Sequence, residues 1–192
     1  MSRRTIVERE LLDLFLAEGF VALTVDDIAR RLSCSKATLY SIAPNRGDLV
    51  RHTVGIYFRD SARRAEIAIE RAPSSYDAIR AYLAQIASDL RPASPQFLAD
   101  LSSYPPAREI YRLNTRAAAR RVGGLLEAGS ERGELDSASV GFIGEVVALT
   151  IELIYRGDLR ERYSLSDADA FQQLANLVIG TRDVDEVTDS GT

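Results

Sequence analysis

Very little in this chain could support redox, metal or nucleophilic chemistry. Its 192 residues hold one cysteine, one histidine, one methionine and no tryptophan. A lone Cys34 cannot build an intrachain disulfide framework; it fits a reducing, cytoplasmic setting and reads as a packing residue. A lone His52 leaves no Cys/His cluster of metal-ligand spacing and no Ser–His pair, and no glycine-rich phosphate loop follows a strand. Neither enzyme activity nor a cofactor or metal is therefore expected. No apolar run approaches membrane-spanning length, and the opening MSRRTIVERELL does not read as a signal peptide, so no membrane partner is expected either. Period-two alternation is missing as well, as are repeats and low-complexity segments, which leaves an all-α fold.

Lysine is nearly absent too: of 24 basic residues only Lys36 is lysine. The formal net charge of −4 argues against a nucleic-acid partner for the chain taken whole. The balance is uneven, however. Residues 1–52 carry eight basic and seven acidic side chains, net +1, and the remainder carries 16 and 21, net −5. Arg3, Arg4, Lys36 and Arg46 could share one side, while Asp26 and Asp27 are spent on helix capping. A local basic face matters more for phosphate contact than the total.

The segment TVDDIARRLSCSKATLYSIAPNRGDLV, residues 24–50, carries the densest signal. Thr24 can cap a first helix, with Asp27 three positions on to complete a capping box. Val25, Ile28, Ala29 and Leu32 then form one apolar stripe at i, i+3, i+4, i+7, and Arg30 and Arg31 fall off it. Leu32-Ser33-Cys34-Ser35 breaks the pattern, with Ser35 as the next N-cap. In the helix that follows, Leu39 is the core anchor and Ala37 is small enough for close packing. Lys36, Thr38, Tyr40 and Ser41 remain outside, hydroxyls and one cation where a solvated helix carries Glu–Lys pairs. Such groups donate to phosphate oxygens and base edges. Pro44 stops this helix, Asn45 caps a third with Asp48 at the capping-box position, and Arg46 stands at its mouth. Two short helices joined by a tight turn, the second presenting polar groups, make a helix-turn-helix whose second helix enters the major groove.

The run SKATLYSIAPNRGDL resembles the recognition-helix signature of the TetR family of bacterial transcriptional regulators, and LLDLFLAEGFVALTVDDIA is similar to that family's first helix, Gly-aromatic turn and following Thr. The match is dense over about residues 6–50. Ala43 stands where the family usually has an aromatic, Ile42 where it often has His, and Gly47 where Glu is usual. The resemblance implies a DNA-binding regulator, most simply a repressor released from a pseudo-palindromic operator by a small-molecule effector. A TetR-like architectural or cell-division factor without an inducer is the alternative. The DNA-contact set is then Arg3, Arg4, Thr24, Ser35, Lys36, Ala37, Thr38, Tyr40, Ser41 and Arg46 on double-stranded DNA.

Beyond residue 50 only the arrangement is similar. Apolar residues recur at helical spacing over Ile79–Leu90, Phe97–Leu101, Ile110–Leu126, with Leu113 on the stripe, Val140–Ile154 and Phe171–Val178, with Leu177 on its face. About nine helices are expected, divided into a three-helix DNA-binding domain (1–50), an effector-binding and dimerisation domain (51–180) and an acidic, disordered tail (181–192). Glu152 and Arg156 read as an i,i+4 ion pair. The resemblance implies an effector pocket, for which Tyr82, Phe97, Tyr104, Tyr111, Phe142 and Tyr155 are candidates. It also implies a homodimer joined through the last two helices, with Val147, Ile151, Phe171, Leu174 and Val178 at the interface.

Overall fold

The computed structural model describes residues 3–180, so the tail expected to be disordered lies outside the described residues. Among those described there are ten helices and no strand: α1 (Arg3–Glu18), α2 (Val25–Arg31), α3 (Lys36–Ile42), α4 (Arg46–Ile69), α5 (Ser75–Leu90), α6 (Pro95–Ser103), α7 (Pro105–Glu131), α8 (Ser137–Arg156), α9 (Asp158–Tyr163) and α10 (Asp167–Gly180). The helix absent from the sequence reading is α9, six residues between left-handed Gly157 and Ser164. It buries no side chain and so carries no apolar pattern. None of the described helices is long and apolar enough to cross a membrane.

The chain forms two compact units. One holds the residues up to Asp60 together with Pro92–Asn114, and the other holds Ser61–Arg91 and the residues from Thr115 on; α4 and α7 contribute to both. In the first unit, Val7, Leu11, Phe15 and Leu16 bury one face of α1. Ile28, Leu39, Val50, Val54 and Leu101 are buried in the same unit. A run of aromatic rings continues this core. Phe20 lies 5.3 Å from Phe15, 5.8 Å from Phe97 and 6.0 Å from Tyr104. Tyr57 lies 5.7 Å from Phe97, and Phe58 stacks on Tyr111 at 5.6 Å. Edge-on and offset rings at these separations are the attractive geometries.

In the second unit α10 packs on α5 and on α8. Ile79, Leu83, Leu126, Ile151 and Ile154 are fully covered. Gly129 of α7 lets the start of α5 come close: a Cβ there would lie 2.6 Å from Ser75 Oγ. The Ser75 N–H donates to Glu134 at 2.6 Å, and Arg132 reaches both Glu134 and the Ser75 hydroxyl. With Arg132 and the Ser75 amide on it, the Glu134 carboxyl is held down at about 2. Arg121 forks onto Glu66 through two 2.8 Å bonds.

Two sequence expectations are corrected by the structure. Leu113 and Leu177, expected on inward stripes, are 51% and 66% exposed. Arg156 pairs with Asp158 at 3.5 Å rather than with Glu152. The five residues expected at a dimer interface, Val147, Ile151, Phe171, Leu174 and Val178, are buried within the single chain.

Candidate nucleic-acid interface

Helix α2 is seven residues long, too short to persist without help at its ends. Thr24 supplies that help: its hydroxyl accepts from the Asp27 N–H at 3.1 Å, and its own N–H donates to Asp27 Oδ2 at 3.1 Å. Bonding from the Thr24 side chain and backbone, then from Arg30, holds the Asp27 carboxyl below its ordinary value. The Cys34 N–H closes back on the Ala29 carbonyl at 3.0 Å, and Ser33 takes a left-handed φ of 47° to make the turn. Burial pushes the Cys34 thiol up, against the charge of Arg3. A protonated, packed thiol is what the sequence suggests.

Ser35 then caps α3, accepting from the Thr38 N–H at 3.1 Å. Leu39, Ile42 and Ala43 turn inward, at 1%, 8% and 6% exposure. Position 42, where the family often has His, is therefore occupied by a core residue. The opposite face presents Lys36, Ala37, Tyr40 and Ser41 to solvent, with Thr38 half-buried. A helix with its side chains is about 10–12 Å across, which a major groove about 12 Å wide admits. Arg4 bonds to Glu8 at 3.1 Å and to the Ser41 carbonyl at 3.3 Å, so the start of α1 lies against the end of α3. Lys36 is not idle: it forms an exposed ion pair with Asp26 of α2, which raises its pKa. A pair this wet is weak enough to be exchanged for a phosphate.

Arg46 departs from its expected role. Asn45 caps α4 through the Asp48 N–H at 2.9 Å, as its sequence position suggests. The Arg46 guanidinium turns instead into the loop between α1 and α2, donating to the carbonyls of Phe20, Val21 and Leu23 at 2.5, 2.8 and 2.8 Å. Its remaining nitrogen reaches the Tyr104 hydroxyl at 3.4 Å. With its donors so committed, Arg46 is a structural residue and not one of the exposed DNA-facing groups.

Two carboxylates in this unit have partners that the sequence does not announce. Asp26, expected only to favour the start of α2, holds Lys36 on the next helix, and Asp100 accepts two N–H groups from the α1–α2 loop. Asp100 lies 79 and 80 residues from its partners, and no local pattern points to it.

The six pocket candidates fall three in each unit. Phe97, Tyr104 and Tyr111 belong to the ring cluster of the first, and Phe97 and Tyr111 are buried. Tyr82 is buried in the second, its phenol pushed up to about 12 by burial and by Glu66. Tyr155 is half-buried, and Phe142 stands 73% exposed, which removes it from any enclosed lining within this chain. A cleft of about 290 Å³ does occur in the second unit, lined by Arg116, Ala119 and Arg120 from α7 and by Ala148, Ile151 and Glu152 from α8. None of the six candidates lines it.

Residues 11–53 match the family model described as bacterial regulatory proteins, tetR family. No curated relative matches the chain. Among solved structures, the TetR family transcriptional regulator PfmR from Thermus thermophilus is 20% identical, with a TM-score of 0.63 over 90% of this chain and 96% of its own. A TetR/AcrR family regulator from Thermobifida fusca is 22% identical, with a TM-score of 0.63 over 92% and 96%. A transcriptional regulator from Saccharomonospora viridis, solved in complex with choline, is 14% identical, with a TM-score of 0.68 over 91% and 94%. At these identities the likeness is one of fold alone.

Proposed function

With a TetR-family helix-turn-helix at its N-terminus, we propose that this chain is a sequence-specific DNA-binding transcriptional regulator. The observation that carries the reading is the exposed face of α3. Leu39 and Ile42 anchor it from below, and Lys36, Ala37, Tyr40 and Ser41 are exposed where base edges and phosphates would be met, Lys36 by exchanging its weak pair with Asp26. Thr24 and Ser35 are exposed caps of α2 and α3, and Arg4, with Arg3 next to it in the chain, adds charge at the end of α3.

The protein acts as a homodimer. Phe142, Val146 and Leu149 recur at i, i+4, i+7 on α8 and are 73%, 39% and 56% exposed, with Leu177 of α10 exposed in the same unit. A stripe of this size on a folded surface is a site of association, and a second copy offers the same stripe under two-fold symmetry. Two α3 helices would then read a pseudo-palindrome with half-sites about 34–36 Å apart or wider. We place the effector in the cleft between α7 and α8, where Arg116 and Arg120, one turn apart, favour an anionic ligand. Binding there releases the DNA to the extent that the ligand prefers the non-binding state.

Selection of bound fragments from a random duplex pool tests the reading. A two-fold-symmetric motif should be enriched, and binding to it should fall steeply with salt. Failure to enrich any symmetric motif would count against it. Many dispersed genomic sites with no releasing ligand would favour the architectural role instead.

A further inference from the structure

The loop that joins α1 to α2, Gly19–Leu23, has no regular structure, yet its backbone groups are satisfied by side chains from two other helices. Asp100 of α6, only 3% exposed, accepts from the N–H groups of Phe20 and Val21 at 2.5 and 2.7 Å. Arg46 of α4 takes the carbonyls of Phe20, Val21 and Leu23. The peptide unit between Phe20 and Val21 is thus gripped at both ends, its oxygen by a guanidinium and its hydrogen by a carboxylate. That is the orientation its dipole favours. Charge-assisted bonds of this kind are stronger than neutral ones, and a buried carboxylate stripped of such partners is costly.

Helix α6 holds both halves of the grip. Gln96 bonds the second oxygen of Asp100 at 2.7 Å. The Ser94 N–H donates to the Leu16 carbonyl at 2.8 Å, which ties the entry of α6 to the exit of α1. Tyr104 follows α6 and stands 5.5 Å from the Arg46 guanidinium, while the Phe20 ring lies between Phe97 and Tyr104. The approach leaves no spare room. Gly19 has a φ of 77°, and a Cβ there would lie 2.6 Å from Asp100 Oδ2. One residue beyond the loop is Thr24, the cap on which α2 begins.

We infer that Asp100 and Arg46 form a clamp on the α1–α2 loop that positions the DNA-reading helices, and that neither residue touches DNA. The inference rests on the DNA-binding reading. It makes the attitude of α2 and α3 depend on α6, a helix outside the helix-turn-helix, through backbone bonds rather than apolar contact alone.

The test uses the full chain and a duplex selected by the wild type, with affinities referred to the folded fraction from circular dichroism. Asp100→Leu should bind at least about tenfold more weakly with the salt slope unchanged. Asp100→Asn keeps one side-chain oxygen for both amides and should recover to within about threefold. Arg46→Met should likewise weaken binding about tenfold with an unchanged salt slope, whereas a phosphate contact would lower that slope by about one. If Asp100→Leu does not fold, Arg46→Met still decides. A folded Asp100→Leu or Arg46→Met that binds like wild type, or a slope that drops in Arg46→Met, overturns the clamp. A wild type that binds no duplex in a salt-dependent way fails the DNA-binding reading instead.

Discussion

Helices α2 and α3 differ from α8 and α10 in what fixes them. The first two are seven residues each and depend on their ends: Thr24 with Asp27, and Ser35 with Thr38. The other two are 20 and 14 residues long and depend on their sides, through Val147, Ile151 and Ile154 on α8 and Phe171, Leu174 and Val178 on α10. An end cap is a matter of spacing within four residues. Which side of an apolar helix turns inward is decided by helices far away in sequence. α8 shows the consequence, being apolar both on its buried side and along Phe142, Val146 and Leu149.

The sharpest way to break this contrast is to substitute the two sides of α8 separately. Leu149→Asp places a charge on the outward stripe. It should leave the helical spectrum intact and weaken the dimer at least about a hundredfold, as buried unpaired charge does. Sedimentation over a range of concentrations reads the result, and an unchanged dimer would move the interface elsewhere. Ile151→Ala, two residues on, should instead cost about 2–5 kcal/mol in denaturant unfolding, the range for a large-to-small change in a packed core. A loss below half of that would mean Ile151 is not core.

On the capped side of the comparison, Ser35→Ala should lower stability by about 1 kcal/mol. DNA affinity should fall with it, because the cap fixes the first turn of α3. A variant as stable as wild type would show that α3 is held by its neighbours alone. The smallest effect concerns Glu134 in the second unit. Its folded pKa of about 2 lies below its ordinary 4.5, so the unfolded chain takes up the proton first. Its contribution is complete above about pH 4.5 and is lost as pH falls toward 2. Glu134→Gln should therefore flatten the acid side of the stability profile in that window and leave the neutral side parallel to wild type.

The same contrast explains what the sequence could and could not tell. Helix type, the Thr24, Ser35 and Asn45 caps and the exposed face of α3 were legible, because each is set by neighbours a few positions away. Arg46 misled for the complementary reason. Its place at the start of α4 suggested an anion, and its partners are carbonyls 23 to 26 residues back. Asp100 gave no local signal at all. Phe97, Tyr104 and Tyr111, named as pocket candidates through the resemblance, pack on the rings of Phe20 and Phe58, partners that no local pattern supplies. Val147 and Ile151 were assigned to the partner through the resemblance, because periodicity finds an apolar side of α8 but not the direction it faces.

The central claim is that α3 reads DNA, and it meets its most direct test in the doubly substituted Lys36→Ala/Tyr40→Ala chain. Both side chains are exposed and anchor no core, so the variant should keep its fold and its dimer. Fluorescence anisotropy on a duplex selected by the wild type should show affinity reduced by about tenfold or more, with a shallower salt slope for the lost cation. Wild-type affinity and slope in that variant would contradict the account.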